Sequence, residues 1–82
     1  METSAIERTV RSIVAAVSNV PEDAAADADL YLELGMPSIQ ALALLQDLEQ
    51  HFGITIPDEE FVTSTSITKL TLTLERLLNS HV

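Results

Sequence analysis

Ser38 is the side chain best placed for chemistry in this sequence. It follows the turn Gly35-Met36-Pro37 and stands at the entrance to a long amphipathic stretch. The first turn of a helix has N–H groups without intrahelical acceptors, and it is the positive end of the macrodipole. A phosphodiester on the serine oxygen would gain about 0.3–1 kcal/mol from that field when exposed. The turn before it would leave the hydroxyl outward, within reach of a modifying enzyme. The same position also suits an ordinary helix-start serine, a common feature, and position alone leaves both readings open.

Other chemistries find less support. His51 falls near the end of the same stretch, roughly 20 Å from Ser38 at 1.5 Å rise per residue, so the two cannot pair as base and nucleophile. There is no Gly-x-Ser-x-Gly elbow. His51 and His81 have no cysteine or second histidine nearby for a metal site, and both are expected to face solvent. Asp58-Glu59-Glu60 lacks the Asp-x-Asp-x-Asp-Gly loop of an EF-hand and reads as the acidic first turn of a short helix. Two glycines are too few for a Gly-rich phosphate loop. The chain has no cysteine, which excludes disulfides, thiolate metal sites and a cysteine nucleophile. Any thiol used here must arrive on a prosthetic group.

The elements that position Ser38 are helical. Ser4-Ala5-Ile6-Glu7 fits a capping box, and Ile6, Val10, Ile13, Val14 and Val17 recur at helical spacing behind it. Asn19 and Pro21 mark the end of this first helix. Pro21 to Leu34 is a long connection, with a short turn at Pro21-Glu22-Asp23-Ala24. Leu30, Leu32 and Leu34 alternate like a strand. A lone strand would have no partner, so the segment is expected to be an irregular loop pinned to the core by these leucines. Gly35 supplies a positive φ, and Met36, before a proline, avoids the helical region. Pro37 suits the first position of a second helix running to Phe52, with Ile39, Leu42, Leu45, Leu48 and Phe52 inward, Ala41 and Leu44 at the margins and Gly53 as C-terminal cap. Ile54-Thr55-Ile56 is an extended link into the short helix at Pro57–Phe61. Thr63-Ser64-Thr65-Ser66 caps a last helix over Ile67–Asn79, with Ile67, Leu70, Leu74, Leu77 and Leu78 inward. Leu72 lies off that stripe. The fold class expected is all-α: one domain over residues 1–82, a small four-helix bundle of three long helices and one short helix, with a long first loop.

Composition limits the partners. At 82 residues the chain has room for one small core, built from aliphatic side chains because aromatics are only 4%. The net charge is -9, and Arg8, Arg11, Lys69 and Arg76 all lie towards the two ends. Nucleic acid and anionic membranes are disfavoured for want of basic side chains. Basic protein surfaces are the natural partners, although acidic residues also simply keep small proteins soluble. No apolar run approaches the ~20 residues of a membrane span, and the N-terminus lacks a signal peptide's basic start and apolar stretch. A cytoplasmic location is expected.

Leu34-Gly35-Met36-Pro37-Ser38-Ile39, with Phe52-Gly53-Ile54 and Ile56-Pro57-Asp58-Glu59 downstream, resembles the acyl carrier protein family. The family's usual motif is Leu-Gly-x-Asp-Ser-Leu. Leu34, Gly35 and Ser38 match it, Ile39 is a mild substitution, and Pro37 replaces the aspartate. The resemblance spans Leu30 to Leu78, and the first helix matches in pattern.

The resemblance implies that Ser38 receives 4'-phosphopantetheine from coenzyme A through a phosphopantetheinyl transferase. Acyl groups would then be held as thioesters for enzymes of fatty acid, polyketide or related biosynthesis. It implies no catalysis by the chain itself, and a monomer as the working form. An acyl chain would be sheltered between the second and third helices by Ile39, Leu42, Leu45, Ile56 and Phe61. Partner enzymes with basic docking surfaces would bind a face made of Met36, Pro37, Ile39, Gln40, Ala43, Asp47, Glu49, Asp58, Glu59 and Glu60. The family's aspartate before the serine helps engage the transferase, so Pro37 suggests a specialised member that a general transferase modifies poorly. Gln40, Ala43, Gln46 and Gln50 also make the second helix less acidic than in fatty acid synthase carriers, which points to a different partner set. The alternatives are an aminoacyl or peptidyl carrier, and a carrier-fold adaptor that bears no arm.

Overall fold

The computed structural model describes residues 3–80; His81, expected to face solvent, lies outside them. Among the described residues four α-helices follow one another: α1 Thr3–Val17, α2 Ala41–Phe52, α3 Asp58–Thr63 and α4 Ile67–Asn79. A 3-10 turn over Ser38–Gln40 leads directly into α2. The all-α bundle with one short helix and a long first loop is as expected. No helix among the described residues is long and apolar enough to cross a membrane.

One core joins all four helices. Ile6, Val10 and Val14 of α1, Leu44 and Leu48 of α2, Phe61 of α3, and Ile67, Leu70 and Leu74 of α4 are buried together. Val20, Leu30, Met36 and Ile56 enter from the connections. α1 packs most extensively against α4 and next against α2. Thr71 of α4 is also buried, and its hydroxyl donates to the Ile67 carbonyl at 2.8 Å. Leu72 stands exposed, which explains its place off the stripe.

The expected capping box at Ser4 does not form. Thr3 is already helical, which puts Ser4 inside α1, and the Glu7 carboxylate accepts from Arg11 Nε at 3.1 Å, one turn on. The rest of the Arg11 guanidinium ties the first loop to α1. It donates to the carbonyls of Glu22 and Ala24, each at 2.7 Å.

The ends of α2 and α4 follow local rules. Gly53 caps α2 at φ 66°, and the Glu49 carbonyl accepts from the N–H groups of Gly53 and Ile54. Ser66 caps α4 by accepting from the Lys69 N–H. The Glu49 carboxylate also accepts from the buried Ile56 N–H at 2.8 Å and clasps the Ile54–Ile56 link to α2. Removing a charged acceptor from a buried donor costs about 1–3 kcal/mol. Glu49→Ala is therefore expected to destabilise the fold by that amount and to speed amide hydrogen exchange at Ile56. Unchanged exchange there would show that the carboxylate does not hold the link.

Candidate functional site

The approach to Ser38 is built by the end of the long loop. Asp29 caps a turn, its Oδ1 accepting from the N–H groups of Tyr31 and Leu32, both at 2.9 Å. Glu33 reaches back to accept from the Asp29 N–H at 2.8 Å. Leu30 is fully buried and stitched to the segment before α4, its N–H donating to the Thr65 carbonyl at 2.8 Å. Leu34 is half-buried. Leu32 departs from the expected trio of pinning leucines and is exposed, because the turn capped by Asp29 leaves it outward while Leu30 is buried and Leu34 half-buried.

The N–H groups of Leu32 and Tyr31 hold the Asp29 carboxyl below its ordinary value of 3.8, with the Thr65 side chain and Lys69 acting the same way against partial desolvation. Burial raises the Tyr31 phenol, and the neighbouring Asp29 charge adds to that. A carboxyl with a depressed folded pKa stabilises the fold above its unfolded value and loses that contribution as pH falls through the folded one. Carboxyl NMR is expected to place the Asp29 midpoint below 3.8. Asp29→Asn is expected to flatten the acid limb of the stability curve just below that pH. A midpoint above 3.8 would contradict the capped geometry.

Gly35 then turns the chain at φ 74°, and the Met36 N–H donates to the Leu30 carbonyl at 2.8 Å. Met36, expected on the docking face, is instead buried with the core. Its side chain anchors the segment two residues before Ser38 and leaves Pro37 and Ser38 at the surface. Pro37 does not open a regular α-helix. It is extended at φ -65°, ψ 135°, the 3-10 turn begins at Ser38, and α2 itself starts at Ala41.

That late start shifts the phase of α2. A period of three drifts relative to the 3.6 residues of an α-helix, so Ile39 lies about half a turn round from Leu48, and Leu42 about a third. Ile39 and Leu42 are accordingly exposed, at 86% and 62%, and neither lines an interior pocket as expected. The buried line runs through Leu44 and Leu48, with Ala41, Leu45 and Phe52 beside it. Of the expected acyl-chain pocket, Leu45 is half-buried, while Ile56 and Phe61 belong to the packed core. A surface groove of about 290 Å³ lined by Ile13, Asp47, Gln50 and His51 lies on the α1–α2 face, towards the far end of α2 from Ser38. His51 is exposed, its ring edge-on to Phe52 with centroids 5.1 Å apart.

The acidic docking positions divide. Asp47, Asp58 and Glu59 are exposed. Glu49 is engaged by Ile56, and Glu60 forms an ion pair with Arg76 across to α4. Gln40 is only half-exposed, with its Oε1 buried and without a hydrogen-bond partner among the described residues. Of the other expected docking residues, Pro37, Ile39 and Ala43 are exposed. From Leu34 to Gln46 no residue is charged. Met36 as anchor, Asp29 as loop cap and Glu49 as clasp were not foreseen. Only Asp29 left a local signal, since an aspartate in a loop readily accepts from backbone N–H groups two residues on.

What Ser38 can do follows from its setting. It is exposed, and its hydroxyl enters none of the side-chain hydrogen bonds among the described residues. No side chain caps the 3-10 turn, so its first N–H groups remain open to an anion. A phosphodiester-linked group on Oγ fits this end without displacing any contact.

A family model described as "Phosphopantetheine attachment site" matches residues 8–74. The chain is similar to an acyl carrier protein of Akkermansia muciniphila, with 32% identity over 78 residues, covering 94% of this chain and 98% of that one. It is also similar to an acyl carrier protein homolog of Mycoplasmopsis pulmonis, with 28% identity over 64 residues, covering 78% of this chain and 88% of the relative.

Proposed function

Since the chain belongs to the acyl carrier protein family, we propose that Ser38 Oγ is the atom to which its 4'-phosphopantetheine is joined. Proteins of this family carry rather than catalyse, and the group is covalently attached. When bound, it supplies a terminal thiol that holds acyl groups as thioesters. The chain's own part is positional. Met36 fixes the root of the arm from below, and the turn at Gly35 presents the serine. The open N–H groups after Pro37 favour the phosphodiester charge. The observation that carries this reading is the exposed, unbonded Ser38 hydroxyl at an uncapped helix start.

The partners proposed are a phosphopantetheinyl transferase and enzymes that load and unload acyl groups in fatty acid, polyketide or related biosynthesis. The net charge of -9 would steer basic partner surfaces towards the chain, and association would slow as salt rises. Pro37 in place of the family's aspartate favours a second reading, an adaptor without an arm. Incubation with coenzyme A and a panel of transferases, one of them from the same genome, decides between them. A mass gain located on Ser38 by fragment sequencing supports the carrier. No gain with any transferase, or a gain located elsewhere, removes it.

A further inference from the structure

Between α1 and the far end of α2 lies a groove that a carrier's arm leaves unused. It has a volume of about 360 Å³ and is lined by Arg8, Thr9, Ser12, Ile13 and His51. It adjoins the groove at Asp47, and the two share Ile13 and His51. Arg8 and Ser12 are four residues apart and so on one face of α1, while His51 comes from the last turn of α2. Among the described residues Arg11 pairs with Glu7, Arg76 pairs with Glu60, and Lys69 acts on Asp29. Arg8 enters no ion pair among them. The Thr9 hydroxyl is spent on the Ala5 carbonyl at 3.1 Å. The side chains of Arg8, Ser12 and His51 enter no hydrogen bond among the described residues, and Phe52 meets the exposed His51 ring edge-on. Two helices thus bring a guanidinium, a hydroxyl and an imidazole to one groove beside the half-buried Ile13.

We infer that this groove binds a small organic acid, its carboxylate on Arg8, Ser12 and His51 and its apolar body against Ile13. A guanidinium only donates, and its fork matches the two oxygens of a carboxylate. Each of the three side chains can donate to an oxyanion. The volume of about 360 Å³ lies at the lower end of the roughly 300–1,000 Å³ of small-molecule sites. It is far more than the ~30 Å³ share of one water, so a bare ion would leave most of it unfilled. Asp47, one turn before His51, opposes an anion from the adjoining groove, which keeps the carboxylate at the Arg8 end. The site lies away from Ser38 and works with or without an arm.

The test is an NMR titration of the full chain with sodium hexanoate, with sodium chloride and inorganic phosphate in parallel at matched ionic strength. Hexanoate is expected to give saturable shifts at Arg8, Ser12, Ile13 and His51, and phosphate to bind more weakly. Arg8→Ala is expected to weaken hexanoate on the order of tenfold, as loss of a charged hydrogen bond does. Asp47→Asn is expected to tighten it several-fold, and Lys69→Ala to leave it unchanged. All three positions are exposed, and circular dichroism melts confirm that each variant folds. Shifts that sodium chloride reproduces, phosphate binding as tight as hexanoate, or an affinity that Arg8→Ala leaves unmoved overturns the proposal. Weaker binding in Asp47→Asn overturns it too, by making Asp47 part of the grip on the ligand. Mass gain on Ser38 is read separately, so either result stands without the other.

Discussion

Ser38→Ala is expected to abolish all mass gain from coenzyme A while leaving the fold as stable as before. The chemical half of this expectation rests on the other serines. The chain has seven. The hydroxyls of Ser18, Ser64 and Ser80 bond to carbonyls of their own helices, and that of Ser66 caps α4. Ser64 and Ser66 are buried as well. Ser4 and Ser12 lie inside α1, away from any glycine turn. No other serine has an exposed hydroxyl beside a positive-φ turn, so none should substitute. The structural half follows because the Ser38 side chain is exposed and makes no hydrogen bond among the described residues, while its carbonyl, which accepts from the Ala41 N–H, is kept in the variant. A substitution of this kind changes stability by about 0.5 kcal/mol or less. Intact mass and a urea melt on the same preparation check both. Residual modification of Ser38→Ala would place the arm elsewhere, and a collapsed melt would mean the serine has a structural role.

The second large effect separates two leucines that sit two residues apart. Leu44 is fully buried and Leu42 is 62% exposed. Truncating a buried leucine to alanine removes transfer energy and leaves a cavity, at about 2–5 kcal/mol. Total stability for a domain of this size is about 5–15 kcal/mol, so Leu44→Ala should lower the urea midpoint sharply and partly unfold the chain near body temperature. Leu42→Ala should fall within about 0.5 kcal/mol of wild type. A larger loss at Leu42 than at Leu44 would mean that α2 sits in the phase first expected from its spacing.

The same pair shows where the residue pattern speaks and where it stops. Gly53, Ser66 and the Ile67–Leu70–Leu74 stripe were legible because each depends on neighbours within one or two turns. Gly35 was legible for the same reason, since a positive φ at a turn is a local demand. The direction of α2 was not. Leucines and alanines fill so much of it that several stripes are nearly equal, and the 3-10 turn after Pro37 decides among them. Met36 looked like a surface residue because it stands two residues before the exposed Ser38, yet its N–H donates to the Leu30 carbonyl and its side chain is buried. Glu49 and Glu60 looked like free acids because their partners, Ile56 and Arg76, are distant in sequence. The proposal that Ser38 is the attachment site came from the likeness of Leu34-Gly35-Ser38 to a family motif, which physical reasoning about a lone hydroxyl could not have supplied. What the structure adds is that this hydroxyl is exposed and unbonded.

The extensive seam between α1 and α4 also dictates when the molecule can become itself. Ile6, Val10 and Val14 share one interior with Ile67, Leu70 and Leu74, so the opening helix leaves the ribosome long before the surface that shields it. Such distant pairings slow folding, because closing the intervening chain costs entropy before any contact repays it. A nascent chain halted before Ile67 should remain an unsettled, protease-sensitive coil, and order should arrive in one step once the closing helix has emerged.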